Sequence, residues 1–288
     1  MTALLASEQV RAAFLEACRA ELVALKPGNV HAFAPGHGMQ VWHFEHSAEA
    51  AAPHIADPAL KVGARVWRAM EATFAIAGCN TNLGILLLSA PLARAADTDL
   101  PGDSIHDRLR HVLATLDLDD AREAFRAIAL ANPAGLGHVD VEDVAKPPSM
   151  SLRAAMALAA GRDRISRAYV TDYEDIFDTA LPCLAGALRV AASPDLAVTT
   201  LHMRLLASFP DSHVARKHGV DEAFALQREV IARRPLYEPV ATAESLPELL
   251  AFDRELKARG INPGTTADFV VATLFAEGLT SAVTGKCA

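Results

Sequence analysis

ASEQVRAAFLEACRAELVAL, residues 6–25, decides the fold. Val10, Phe14, Leu15, Cys18, Leu22 and Leu25 recur at steps of three and four, so on a helix they fall on one stripe. A strand would need strict alternation with β-branched residues, and no such run occurs anywhere in the chain. The same helical periodicity returns over 60–78, 82–96, 104–116, 119–131, 151–168, 172–191, 195–207, 220–234, 245–259 and 265–282. Ser245-Leu-Pro-Glu248 and Thr265-Thr-Ala-Asp268 have capping-box spacing at two of the starts. The expectation is an all-α protein: one compact multi-helix bundle, a single domain over residues 1–288, with functional loops at helix ends.

Composition agrees. Hydrophobic residues make up 51% of the 288, and aromatics only 6%. An alanine- and leucine-rich chain of that length favours helices and buries a large core. The net charge of −8 offers no general attraction for nucleic acid or anionic membrane, so an anionic ligand would need a local basic site. Cys18, Cys79, Cys183 and Cys287 lack CxxC spacing and read as ordinary thiols of a reducing compartment. Glu8 and Arg11 interrupt the first apolar stretch, and the apolar run at Ile85–Leu88 is far too short to span a bilayer. A cytoplasmic protein is expected, with small-molecule partners, no nucleic acid and no membrane; a homo-oligomer is left open.

Phosphate-loop, dinucleotide and nucleophile-elbow motifs are absent. His31, His37, His43 and His46 crowd into sixteen residues. No cysteine or repeated spacing supports a zinc site there, and loop polarity explains them.

Four segments carry residues that are poor choices for packing alone. Lys26-Pro-Gly-Asn29-Val30 leads to Gly36-His37-Gly-Met39. Lys26 and His37 could contact phosphate, or Lys26 could simply match a helix dipole. In Asn80-Thr81-Asn82-Leu-Gly84, Thr81 or Asn82 would cap the next helix, whose free amides could also cradle a phosphate. Phe209-Pro-Asp211-Ser212-His-Val-Ala-Arg216-Lys217-His-Gly219 supplies an acid, a hydroxyl and cations on a short helix, a set suited to magnesium-phosphate. Asn262-Pro-Gly264-Thr265-Thr-Ala-Asp268 is either a plain capping box or a ligand turn, with Asp268 holding a metal or hydroxyl.

In this order these segments resemble the triphosphoribosyl-dephospho-CoA synthase family. The matching pieces are KPGNV with the His37 turn, HFEHSA (43–48), NTNLG (80–84), PDSHVARKHG (210–219) and NPGTTADF (262–269), with RDRISRAY (162–169) beside them. Gly38, Leu83 and the Arg216-Lys-His218 run depart from the citrate-lyase branch and are similar to a divergent branch of archaea and methylotrophic bacteria.

The resemblance implies an all-α transferase that splits ATP at its N-glycosidic bond with magnesium. Adenine leaves, and the triphosphoribosyl unit joins the 2′-hydroxyl of 3′-dephospho-CoA or a related cofactor precursor. Asp211 and Asp268 are then candidates for catalysis and for the metal. Lys26, Arg216 and Lys217 are candidates for the triphosphate, while Thr81, Asn82 and Thr265 would orient ribose or phosphate. Asn29, His37, Gly84, Ser212 and Gly264 complete the expected ATP site. On this reading Asp211→Asn leaves the fold intact and weakens magnesium-nucleotide binding. Two alternatives remain: a magnesium-dependent phosphotransferase or hydrolase in biosynthesis of a pterin or furan C1 carrier, and a non-catalytic helical assembly partner.

Overall fold

The structure, a computed structural model, describes residues 4–97, 100–133 and 146–285. Fourteen α-helices run through the described residues: α1 (Ser7–Val23), α2 (Val41–Ile55), α3 (Val62–Ala77), α4 (Leu83–Asp97), α5 (Ile105–Thr115), α6 (Leu118–Ala131) and α7 (Leu152–Ala159). Then follow α8 (Arg164–Val170), α9 (Leu181–Leu188), α10 (Pro194–Ser208), α11 (Ser212–His218), α12 (Val220–Ala232), α13 (Leu246–Ala258) and α14 (Gly264–Thr284). The only extended pairings among these residues are isolated bridges, His31 with Ala34 and Gly36 with Met39. The protein is all-α.

The chain divides into two compact units. The first comprises Met1–Cys18, His43–Glu174 and Leu274–Ala288; the second comprises Arg19–Trp42 and Asp175–Thr273. The division falls inside α1, α2 and α14.

In the first unit, side-chain caps start several helices. Ser104 accepts from the Asp107 amide, and Asp117 with Asp120 forms a reciprocal capping box. Asp120 also accepts from the Gly63 amide, where α3 crosses α6 so closely that a Cβ at Gly63 would lie 2.4 Å from the Asp120 carbonyl oxygen. Pro91 sits inside α4 and has no N–H for the Leu87 carbonyl four residues back. The hydroxyl of buried Tyr169 donates to that carbonyl at 2.7 Å instead. Arg65, also sealed, pairs with Asp97 and donates to the Ile55 and Leu60 carbonyls.

The second unit is built on Leu25, Met203, Leu206, Val214, Leu226, Val230, Leu249, Phe252, Leu256 and Ile261, all buried. α14 is long and apolar enough to cross a bilayer by length and composition, but Phe269, Val270, Phe275 and Leu279 along it are packed inside the protein.

Several boundaries differ from the sequence reading. α2 has no counterpart in it because its buried stripe is Ser47, Ala48, Ala51, Ala52 and Ile55, mostly small residues, with Pro53 inside the helix. The run expected over 151–168 breaks into α7 and α8, since Asp163 leaves helical geometry to cap the Ser166 amide. The run over 172–191 opens with a π-helical turn at Asp175–Ala180, ahead of Pro182. Ser245 does not cap α13; its backbone is already helical and its hydroxyl bonds Thr242. In the expected loop at 132–149, residues 134–145 lie outside the described set.

Candidate active site

In the second unit the 26–39 loop, the Asn262–Thr266 turn and the start of α11 lie against one another. Gly28 has a φ of +86°, and a Cβ there would come within 2.8 Å of the Pro263 ring, so glycine is required on both counts. Asn29 donates its side-chain amide to the Asn262 side-chain oxygen at 2.8 Å.

Lys26 is completely buried. Its ammonium donates to the Glu21 carbonyl (2.8 Å) and the Val30 carbonyl (2.7 Å), and pairs with the Glu21 carboxylate (3.0 Å). An ammonium has three hydrogens. None is left for a triphosphate, so Lys26 ties the end of α1 to the loop and is removed from the phosphate set. Burial pushes the Lys26 pKa down and the Glu21 pKa up, with their mutual attraction opposing both shifts.

A second buried cluster was not singled out in the sequence. Asp253 on α13 accepts from the Gly28 amide at 2.9 Å, and its other oxygen pairs with Lys257 at 3.0 Å. The Nε2 of buried His31 lies 3.2 Å from the Asp253 carboxylate. Because His31 Nδ1 accepts from the Phe33 amide, the neutral ring carries its proton on Nε2 and donates it to Asp253. Burial raises the Asp253 pKa, but the bonds from His31, Gly28 and Lys257 outweigh it and hold the carboxyl below its ordinary value. Asp253 and Lys257 are four apart on a helix, a spacing indistinguishable from a solvated surface pair.

Asp211 is also a strut. Fully buried, it accepts from the Val214 amide (3.0 Å) through one oxygen, and from the Thr266 amide (2.7 Å) and hydroxyl (2.8 Å) through the other. It caps α11 while holding the first turn of α14. The metal and catalytic roles expected for it do not fit a carboxylate sealed this way. Thr265, buried too, accepts from the Ser212 hydroxyl and the His213 amide, so it is an internal bracket rather than a cap. The expectation for Asp211→Asn therefore reverses. An asparagine amide would confront the Thr266 N–H with another donor or lose the Val214 bond. Thermal or urea unfolding should show a loss of about 2–3 kcal/mol, because bonds to a charged acceptor are given up and a buried donor is orphaned. An unchanged midpoint would count against this assignment.

What remains open toward solvent is basic. Arg216 is half-buried and Lys217 exposed on α11, next to half-buried His213. His213 has its pKa lowered by burial first, against the pull of Asp211, with Arg216, Lys217 and His37 adding to the lowering. His37 is lowered by burial, with Lys217 and Lys257 contributing. His213, Arg216 and Lys217 share α11, and the charges of His37 and Lys217 act on the neighbouring imidazoles, so these residues form one basic corner. Gly264 lies beside the His213 ring; a Cβ there would meet Nδ1 at 3.3 Å. Asp268, half-exposed and one turn beyond Thr265, is the expected acid that stays accessible. Among the described residues no three His, Cys, Asp or Glu side chains converge to hold a metal ion.

Thr81, Asn82 and Gly84 belong to the first unit. Asn80, not Thr81 or Asn82, caps α4 by accepting from the Leu83 amide at 3.1 Å. Thr81 donates to the Ser47 hydroxyl (2.7 Å), and buried Asn82 donates to Thr73 (3.1 Å). The other end of the Asn82 amide has no partner.

A helical protein with such a basic corner is a candidate for binding a phosphorylated ligand. Residues 7–286 match the family described as ATP:dephospho-CoA triphosphoribosyl transferase, and the chain belongs to that family of transferases. A crystal structure from Archaeoglobus fulgidus, carrying the provisional name triphosphoribosyl-dephospho-CoA synthase, is similar at a TM-score of 0.61 and 25% identity. The alignment covers 80% of this chain and 95% of that one. No curated protein sequence matches.

Proposed function

We propose that this protein transfers the triphosphoribosyl group of ATP to the 2′-hydroxyl of 3′-dephospho-CoA, releasing adenine, in the cytoplasm. The observation that carries this reading is the family match over nearly the whole chain. The basic corner supports it: Arg216 and Lys217 supply cations for a tetra-anionic triphosphate, in a protein whose net charge of −8 would otherwise repel one. Magnesium would enter chelated by the phosphates, as that ion commonly does with only one or two protein carboxylates, and Asp268 is the carboxylate assigned here to join it. The ion supplies charge neutralisation on the phosphates.

Breaking the C1′–N9 bond builds positive charge on the ribose and negative charge on adenine, so the enzyme must hold the donor still and activate the incoming hydroxyl. Incubating the folded protein with ATP, magnesium and dephospho-CoA should release adenine in step with a triphosphoribosyl mass increase on the acceptor. ADP or inorganic phosphate in place of adenine would overturn the proposal and select a phosphotransferase or hydrolase.

A further inference from the structure

We infer that His37 is the general base that takes the proton of the attacking hydroxyl, and that Asp253 is a positioning residue that acts on it through the Gly28 backbone. The inference rests on the transfer reaction proposed above.

The geometry begins at His37 Nε2, which lies 2.7 Å from the Gly28 carbonyl oxygen. A carbonyl can only accept, so Nε2 carries the ring hydrogen. In the neutral ring Nδ1 then holds a bare lone pair, and among the described residues nothing bonds to it. The tautomer is thus set by the backbone, as a general base requires.

The carbonyl is itself held in place. The Gly28 amide donates to Asp253, which is gripped in turn by Lys257 and His31. The backbone at Gly28 is packed so closely on the Pro263 ring that a Cβ there would lie 2.8 Å from it. His37 has a φ of +56°, uncommon for a residue with a Cβ, in the tight turn bridged by Gly36 and Met39. Such backbone persists where surrounding contacts enforce it, and here it aims the ring.

The charged and titratable groups around the ring are Lys217 and His213 from α11 and Lys257 and Asp253 from α13. Burial, with the two lysines, favours the neutral ring and outweighs the Gly28 bond and Asp253. Lys217 is also one of the two cations assigned above to the triphosphate.

In the step itself, Nδ1 accepts the proton of the acceptor hydroxyl as its oxygen bonds to C1′. The C1′–N9 bond breaks, and its electron pair leaves on adenine. Adenine needs one proton at N9, equal to the one His37 has taken, so the turnover is proton-neutral and needs no further reactant.

The test uses His37→Gln, whose amide can still donate to Gly28 but has no basic nitrogen, and His37→Gly, which suits the positive φ. Adenine release is followed for each between about pH 5 and 9. The expected result for His37→Gln is a kcat loss of about 100-fold or more with KM for ATP within about threefold, and absence of the acidic limb that the wild type should show. Added imidazole should restore turnover to His37→Gly. Asp253→Asn should lower kcat more than it raises KM.

Wild-type kcat and an unchanged acidic limb in His37→Gln would overturn the inference while leaving the transfer reaction standing. Absence of adenine from the wild type would overturn the parent reading and this one with it.

Discussion

Lys26→Met is expected to lower the unfolding free energy by about 3–5 kcal/mol, read as a fall in the urea midpoint at unchanged slope. The change removes little volume and no apolar contact. What it leaves behind is the Glu21 carboxylate, buried with its cation gone, and carbonyls of Glu21 and Val30 without their donor. An uncompensated buried charge is among the costliest defects a core can carry. Burial pushes both members of the pair toward their neutral forms against their mutual attraction, and a buried ion pair generally adds little net stability over an apolar replacement. The double variant Glu21→Leu with Lys26→Met should therefore recover most of the loss. A cycle in which the two costs simply add would show that the residues are not coupled, and the account would fall. If Lys26 instead served a ligand, the single variant would keep its stability and lose only nucleotide binding.

The fate of Lys26 illustrates what the chain could and could not disclose. Wide apolar stripes gave away α1, α3, α4 and α10, because a Leu or Phe every three to four residues has few other uses. α2 escaped because alanines bury a face without advertising one. At the candidate site, Gly28, Gly36 and Asn262 mark turns whatever their ligand, so the segments that pack together in the second unit could be picked out from residue type alone. The duties of their side chains could not. Lys26, Asp211 and Thr265 have the chemistry of phosphate and metal binding, yet each is spent on holding backbone. Direction of facing is decided by partners such as Thr266 for Asp211, 55 positions away, and Asp253 for Gly28, 225 positions away. Asp253 itself had no signal beyond an i, i+4 lysine. Thr81 and Asn82 were read as caps because they stand next to the helix, whereas Asn80 has the reach to the Leu83 amide.

Stability should also fall as the medium is acidified from about pH 6.5, and His202 on α10 should account for much of the fall. The residue is wholly buried, and neither ring nitrogen makes a hydrogen bond of ordinary geometry. Burial drives its pKa from the ordinary 6.5 down to about 3; the Lys26 and His31 charges add to this, while the Pro27 carbonyl and Asp253 oppose it. A folded-state pKa below the unfolded one means that the unfolded chain binds more protons in the window between them. Stability therefore rises with pH through that window and is lost on the way down, at about 1.4 kcal/mol per pH unit once below 6.5. At pH 5 the contribution of this one ring is about 2 kcal/mol. His31, His37 and His213, also lowered, act in the same direction. Glu21 and Asp120, raised by burial, act in the opposite one, so the total slope does not isolate His202. The difference between wild type and His202→Leu does. Leucine has similar bulk and nothing to protonate, and it removes two unsatisfied nitrogens. Its melting temperature should equal or exceed that of the wild type near pH 8, and the gap should widen steadily as pH falls. Parallel pH profiles for the two proteins would mean that the ring is hydrated or already paired, and that its burial costs nothing that a proton can reveal.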